Sequence, residues 1–198
     1  SYAVLEANAA AIISNTRLID NRATTNGGAV RLEVSSAVVN SLFAGNHAGA
    51  AGAAMYVAAT GVVTLQHTTI VSATLGSGSA IEMTGGALNA TNNIIAQYAT
   101  GIRTTAGTTA ADYNLFFGNT TNKSGAMSGG THDVLADPLF MDPSGDYRLQ
   151  PASPAVGAGV DVGVNIDILG AGRANPPTIG AYENPVLDPT VDARLIDL

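Results

Sequence analysis

Three kinds of side chain in this sequence could do chemistry: carboxylates, a few cations and three histidines. Two carboxylates held roughly 5–9.5 Å apart across a sugar can hydrolyse it, and an Arg or Lys beside acidic calcium ligands can serve as base on an acidic sugar. The first 111 residues offer the acids Glu6, Asp20, Glu33 and Glu82 and the bases Arg17, Arg22, Arg31 and Arg103, and Lys123 is the only lysine. Glu6 and Glu33 could stack, but Arg31 beside Glu33 reads as surface pairing, and the arginines show no shared register with clustered acids. Asp137, Asp142 and Asp146 surround Pro143-Ser144-Gly145 without the alternate acids and closing Glu of a calcium loop; Asp before Pro and after Gly is turn chemistry. His47, His67 and His132 share no ligand spacing and read as surface or turn residues. Gly157-Ala158-Gly159 and Gly170-Ala171-Gly172 extend to no dinucleotide fingerprint. No catalytic, cofactor or metal residue is assigned, and the chain is not read as an enzyme.

Charge and composition narrow the partners. The net charge is −7, which leaves no basic patch to displace phosphate counterions and excludes a nucleic-acid partner. The absence of Cys removes disulfide scaffolds and thiolate chemistry. The uncharged stretch from Ala48 to Gln66 is mostly Ala and Gly, broken by Gly49, Gly52, Thr60 and Gly61, and is not read as a membrane span. Residues 1–111 balance four acids with four bases, whereas residues 112–198 carry eleven acids against four bases, and all eight prolines lie from Pro138 onward. Such a shift marks a boundary.

The elements that must position these residues repeat. Asn15-Thr16-Arg17-Leu18, Asn40-Ser41-Leu42-Phe43, Thr68-Thr69-Ile70-Val71, Asn92-Asn93-Ile94-Ile95 and Tyr113-Asn114-Leu115-Phe116 align without gaps, with a period of about 24 residues. Between them the chain alternates as a strand does: Val30, Leu32 and Val34 share one face, with Arg31 and Glu33 on the other. Gly and Asn punctuate the intervals (Gly27-Gly28, Gly45-Asn46, Gly85-Gly86) and supply the positive φ of tight corners. No window has helical spacing. One coil alone buries too little to offset its ordering entropy of roughly 1–2 kcal/mol per residue, so the coils must stack. The expected fold is all-β, a parallel β-helix (β-solenoid) of about 24 residues per coil. Asn15, Asn40, Thr68 and Asn92 are expected to form one ladder along the axis, structural rather than ligand-binding.

Gly27-Gly28-Ala29-Val30 followed by Phe43-Ala44-Gly45-Asn46 resembles the paired GGA and FxxN repeats of polymorphic outer-membrane proteins. Degenerate second members are Leu18-Ile19-Asp20-Asn21 and Phe116-Phe117-Gly118-Asn119. Asp137-Pro138-Leu139-Phe140, Gly145-Asp146-Tyr147-Arg148-Leu149, Ser153-Pro154-Ala155-Val156-Gly157-Ala158-Gly159 and Ile179-Gly180-Ala181-Tyr182-Glu183 follow in order. That run resembles the end of the choice-of-anchor bacterial β-helix proteins, type Q group, over residues 112–183. The resemblance implies a right-handed parallel β-helix, a hand that the usual sense of parallel crossovers supports, together with export and a cell-surface or extracellular setting.

The expected organisation is coils over 1–136, a β-helix end or capping segment over 137–183, and an extended tail over 184–198. The expected role is a structural or adhesive module. The alternative is a carbohydrate-active or carbohydrate-binding β-helix, with a cell-surface polysaccharide as partner. Self-assembly along the axis is a further expectation, because sheet edges need covering. Alternation in Val191, Ala193 and Leu195 makes the tail its connector.

Overall fold

The computed structural model describes residues 5–184. It is a parallel β-solenoid of about five turns, with turns about 25 residues apart and no helix among the described residues. Three strand columns run along it. The first places Leu5, Val30, Met55, Ile81, Ile102 and Lys123 in one register. The second aligns Ile12, Ala37, Thr64, Asn89, Ala110 and Ser128. The third aligns Arg17, Leu42, Thr69, Ile94, Leu115 and Val134. All these pairings are parallel, so every inner turn hydrogen-bonds above and below.

Side-chain alternation sorts each column into an inner and an outer row. Val30, Leu32, Val38, Phe43, Leu65, Ile70, Ile81 and Ile95 point inward and make one continuous core, each fully buried. The columns meet at corners in the left-handed region: Asn15, Asn40, His67, Asn92 and Tyr113 form one corner row, with φ between 48° and 60°. Asn and His tolerate that conformation better than most residues. One position later lies the inner polar ladder. Thr68 N–H donates to Asn93 Oδ1 (2.9 Å), Asn93 N–H to Asn114 Oδ1 (3.0 Å), and Asn114 N–H to Asp133 Oδ1 (2.9 Å). The side-chain amides of Asn93 and Asn114 also donate to the carbonyls of Leu65 (3.0 Å) and Ala90 (2.9 Å).

The expected ladder therefore divides in two. Thr68 stands in register with Ser41 and Asn93, and His67 takes the place beside Asn15, Asn40 and Asn92. The Thr68-Thr69 pair conceals this one-residue offset, because either threonine fits the sequence pattern. Asn15 is exposed, while Asn40 and Asn92 are buried.

Residues 137–183 run along the flank of the coil rather than across its end. The hairpin of Phe140–Asp142 and Asp146–Leu149 and the segment from Ala155 to Tyr182 pack on the outer row of the third column. There Leu42, Val71, Ile94 and Leu115 meet Phe140, Tyr147, Leu149, Ile179 and Tyr182 in a second core. The third column is thus a wall buried on both faces. Its strands read accordingly as unbroken apolar runs, Leu42-Phe43-Ala44 and Ile94-Ile95-Ala96, where one-sided strands alternate. The assembly residues Val191, Ala193 and Leu195 lie outside the described residues.

Candidate functional sites

Four places gather polar chemistry, and the first is the clamp between flank segment and coil. Arg173 Nη2 donates to Asn40 Oδ1 (2.8 Å) and to the carbonyls of Gly180 (3.0 Å) and Ala181 (3.3 Å). Its Nη1 meets Glu183 Oε2 at 3.2 Å, with the two side chains only 2% and 3% exposed. Glu183 also accepts from Thr178 N–H (3.0 Å) and Thr178 Oγ1 (2.6 Å). Asn40 Nδ2 donates to Ile166 O (2.7 Å). Two turns further along, Asn92 exchanges bonds with the backbone of Val160, giving at 2.7 Å and receiving at 3.0 Å. Asn40 and Asn92 therefore tie the coil to its flank instead of to each other. His67 stands at a corner, as expected of a turn residue, but it is fully buried rather than at the surface, with its Nε2 2.9 Å from Asn92 Nδ2. Burial first, and then the Arg173 charge, push its pKa down to about 3. These bonds join side chains to one another and to the backbone of coil and flank, so the chemistry of the cluster is that of a fastener.

The second place is the outer row of the first column, where Glu6, Arg31, Tyr56, Glu82 and Arg103 stand in successive register. Shared register between arginines and acids, which the sequence reading did not find, is present here. Glu82 Oε2 accepts from Arg103 Nε (2.7 Å) and Ser79 Oγ (2.7 Å), and its side chain is 3% exposed. Arg31 pairs with both Glu6 and Glu33 and lies 5.0 Å from the centre of the Tyr56 ring. Glu6 and Glu33 thus share one guanidinium, and Tyr56 carries a cation where a sugar face would rest. A glycosidase needs two free carboxylates, one of them protonated; this column is a charge-paired seam.

The third place is the last coil. Lys123 stands in the inward register of Ile102, and its Nζ meets Asp133 Oδ2 at 2.6 Å below the Phe116 ring. An inward charge pair ends an apolar column, because another coil placed there would have to bury it. Nearby, Asp112 accepts from the backbone of His132 (2.9 Å) and Gly130 (3.1 Å) and pairs with the exposed His132 ring, which stacks on Tyr113. These bonds hold the chain where it leaves the last full turn.

The fourth place is a cleft of about 380 Å³ between coil and hairpin. Phe117 and Phe140 give it apolar surface, while Ser72, Gln97, Asp137 and Gln150 give it polar groups. Asp137 Oδ1 accepts from Leu139 N–H (2.9 Å), and Gln150 Nε2 donates to Phe140 O (3.0 Å). The sequence reading passed over Gln97. Its signal was a departure from the repeat: Ile95-Ala96-Gln97-Tyr98 aligns with Phe43-Ala44-Gly45-Asn46 and Phe116-Phe117-Gly118-Asn119, so a glutamine stands at the glycine position.

Asp142 and Asp146 turn toward their own chain, to Ser144 N–H (2.8 Å) and to the guanidinium and N–H of Arg148. No group of three or more His, Cys, Asp or Glu among the described residues could hold a metal ion. Among the same residues, no helix is long and apolar enough to cross a membrane. In comparison with known proteins, no family model, curated protein or solved structure matches this chain.

Proposed function

We propose that this chain is a structural or adhesive module of a secreted or cell-surface protein, a stiff rod that spaces or holds contacts outside the cell. The observation that carries the reading is the lateral clamp. Arg173, Asn40 and Asn92 bind a second layer of chain along several turns of the coil, so a bend or a sheared turn must break buried polar bonds as well as a sheet ladder. The sequence resemblance to choice-of-anchor β-helix proteins supports export and a right-handed coil. Self-association along the axis, with Val191, Ala193 and Leu195 as connector, belongs to the same reading. The inward Lys123–Asp133 pair weighs against the last coil as the receiving edge.

A second reading, a carbohydrate-binding β-helix, is favoured by the cleft beside Gln97. The two readings separate from an enzyme in one experiment. The purified chain is incubated with insoluble neutral and acidic polysaccharides, and both co-sedimentation and new reducing ends are measured. The module reading expects retention on at least one polymer with no new chain ends. Release of reducing ends or of unsaturated sugars overturns it.

A further inference from the structure

We infer that the cleft between the coil and the Phe140–Leu149 hairpin is a binding site for a single neutral pyranose unit, with Gln97 as its central contact. The inference rests on the adhesive part of the function proposed above and names the ligand class of that surface.

The first support is strain that packing does not require. Gln97 has φ +67° in a corner row where Gly45 and Gly118 stand at +63° and +64° and Asp20 at +55°; a short Asp side chain is tolerated there more readily than a long glutamine. A glycine there is free of strain, whereas a side chain costs roughly 1–2 kcal/mol. Leu139, across the same cleft, has φ +52°, a genuine outlier for a bulky residue. Two strained non-glycine residues therefore line one cavity, and such strain clusters at ligand sites, where the surrounding structure holds it.

The second support is the lining. Small-ligand sites are concave, run from about 300 Å³ upward, and join an apolar surface to a few placed polar groups; this cleft has about 380 Å³. A pyranose presents an apolar C–H face, for which Phe117 and Phe140 are suited, and an equator of hydroxyls. Around the rim are two groups that both give and accept, the Gln97 carboxamide and the Ser72 hydroxyl, and two acceptors, the second Asp137 oxygen and the side-chain carbonyl oxygen of Gln150, which the bonds to Leu139 and Phe140 leave unoccupied. Among the described residues no cationic side chain lines the cleft, so these residues offer phosphorylated sugars and uronates nothing to neutralise them, and Asp137 repels them.

The third support is the support of Gln97 itself. A Cβ at Gly118 would come within 2.8 Å of the Gln97 amide nitrogen, so the glycine of the next turn leaves the room in which this carboxamide lies. A side chain placed so at energetic cost makes a prediction that a structural residue does not. Gln97→Gly should keep or raise the unfolding midpoint while losing the ligand.

The test titrates the isotope-labelled full chain with the methyl glycosides of glucose, galactose and N-acetylglucosamine, followed by NMR. The expected result is saturable shifts of the Gln97 and Gln150 side-chain amides and the Leu139 backbone with at least one glycoside. Gln97→Gly and the cleft-filling Ala73→Trp should each weaken binding at least about ten-fold with the fold intact. The inference is overturned by no saturable shift with any glycoside, by binding that both variants leave unchanged, or by a response to glucosamine or glucuronate alone. A chain that binds glycosides here but is not retained on polymers breaks the adhesive reading and leaves the site. Retention on polymers that Ala73→Trp does not disturb breaks the site and leaves the reading.

Discussion

The second and third strand columns leave the same turns of chain at the same spacing, yet one faces water and the other faces a second core. The outer row of the second column carries Ala37, Thr64, Asn89, Ala110 and Ser128, small or polar groups that need no cover, and only its first turn presents a large apolar side chain there, the exposed Ile12. The outer row of the third carries Leu42, Val71, Ile94 and Leu115, which residues 140–182 cover. The coil itself supplies only one buried face per strand. A solenoid of this length gains a second hydrophobic layer by folding its own C-terminal chain back along one flank, and the polar anchors of that layer are corner residues. The difference between the flanks is thus one of outer-row chemistry, and it can be broken selectively.

The largest expected effect is acidification. His67 sits at the covered flank with a folded pKa of about 3 against an ordinary 6.5. Because the folded value is the lower one, protons bind the unfolded chain first. Nothing is lost above pH 6.5, and stability falls as pH drops from 6.5 toward 3, by on the order of 4–5 kcal/mol in full. His67→Asn places at this corner the residue found at Asn15, Asn40 and Asn92 and removes the titration. Urea unfolding across pH 7 to 4 should show a steep loss for the parent chain and a shallower one for the variant. Equal slopes would mean that His67 is not the sensor.

Arg173→Ala comes next. It leaves Glu183, with its side chain 3% exposed, as an uncompensated buried charge, which costs about 3–5 kcal/mol. A change this large should also release the flank, seen as hydrogen exchange rising at Gly180 and Ile168 while the inner column at Leu65 stays protected. If exchange rises uniformly, flank and coil are one cooperative unit and the clamp is not a separate layer.

A direct comparison of the two flanks gives a smaller, paired effect. Ile94→Ala opens a cavity in the second core and should cost about 2–4 kcal/mol. Asn89→Ala, exposed on the bare flank, should stay within about 0.5 kcal/mol. Comparable losses from both would place something on the second column.

Much of the coil was legible in the sequence because its rules are local. Alternation fixes the inward row, and Gly or Asn fixes the corners, so strand type, repeat and stacking follow from short windows. Register is less local. Thr68 and Thr69 are interchangeable in the pattern, and only the left-handed backbone at His67 decides which of them enters the inner ladder. The Glu82–Arg103 pairing was hidden because these two turns are only 21 residues apart, shorter than the 25 that separate the first ones. The return of residues 137–183 along the flank was written in the apolar runs of the third column, which are too continuous for strands buried on one side. Which partner would cover them was not written there, since Arg173 meets Asn40 across 133 residues of chain. The cleft was least legible of all: Ser72, Gln97, Asp137 and Gln150 come together only through that return.

A small effect of the opposite sign is expected beside the cleft. Tyr98 follows Gln97 and takes the ladder position that Asn46 and Asn119 hold in other turns. Its backbone N–H still donates to Asn119 Oδ1 (2.9 Å), but its ring fills the inner core at 1% exposure. The hydroxyl has no hydrogen-bond partner among the described residues, and burial pushes its pKa up, so it stays neutral. An unpaired buried hydroxyl costs about 1–3 kcal/mol, and deleting it leaves a void smaller than a methyl group, which returns part of that gain. Tyr98→Phe should therefore stabilise the chain by up to about 1 kcal/mol, read as a raised urea midpoint at unchanged slope. A lowered midpoint would mean that a buried water satisfies the hydroxyl, and the core beside the cleft would then be wetter than its lining suggests.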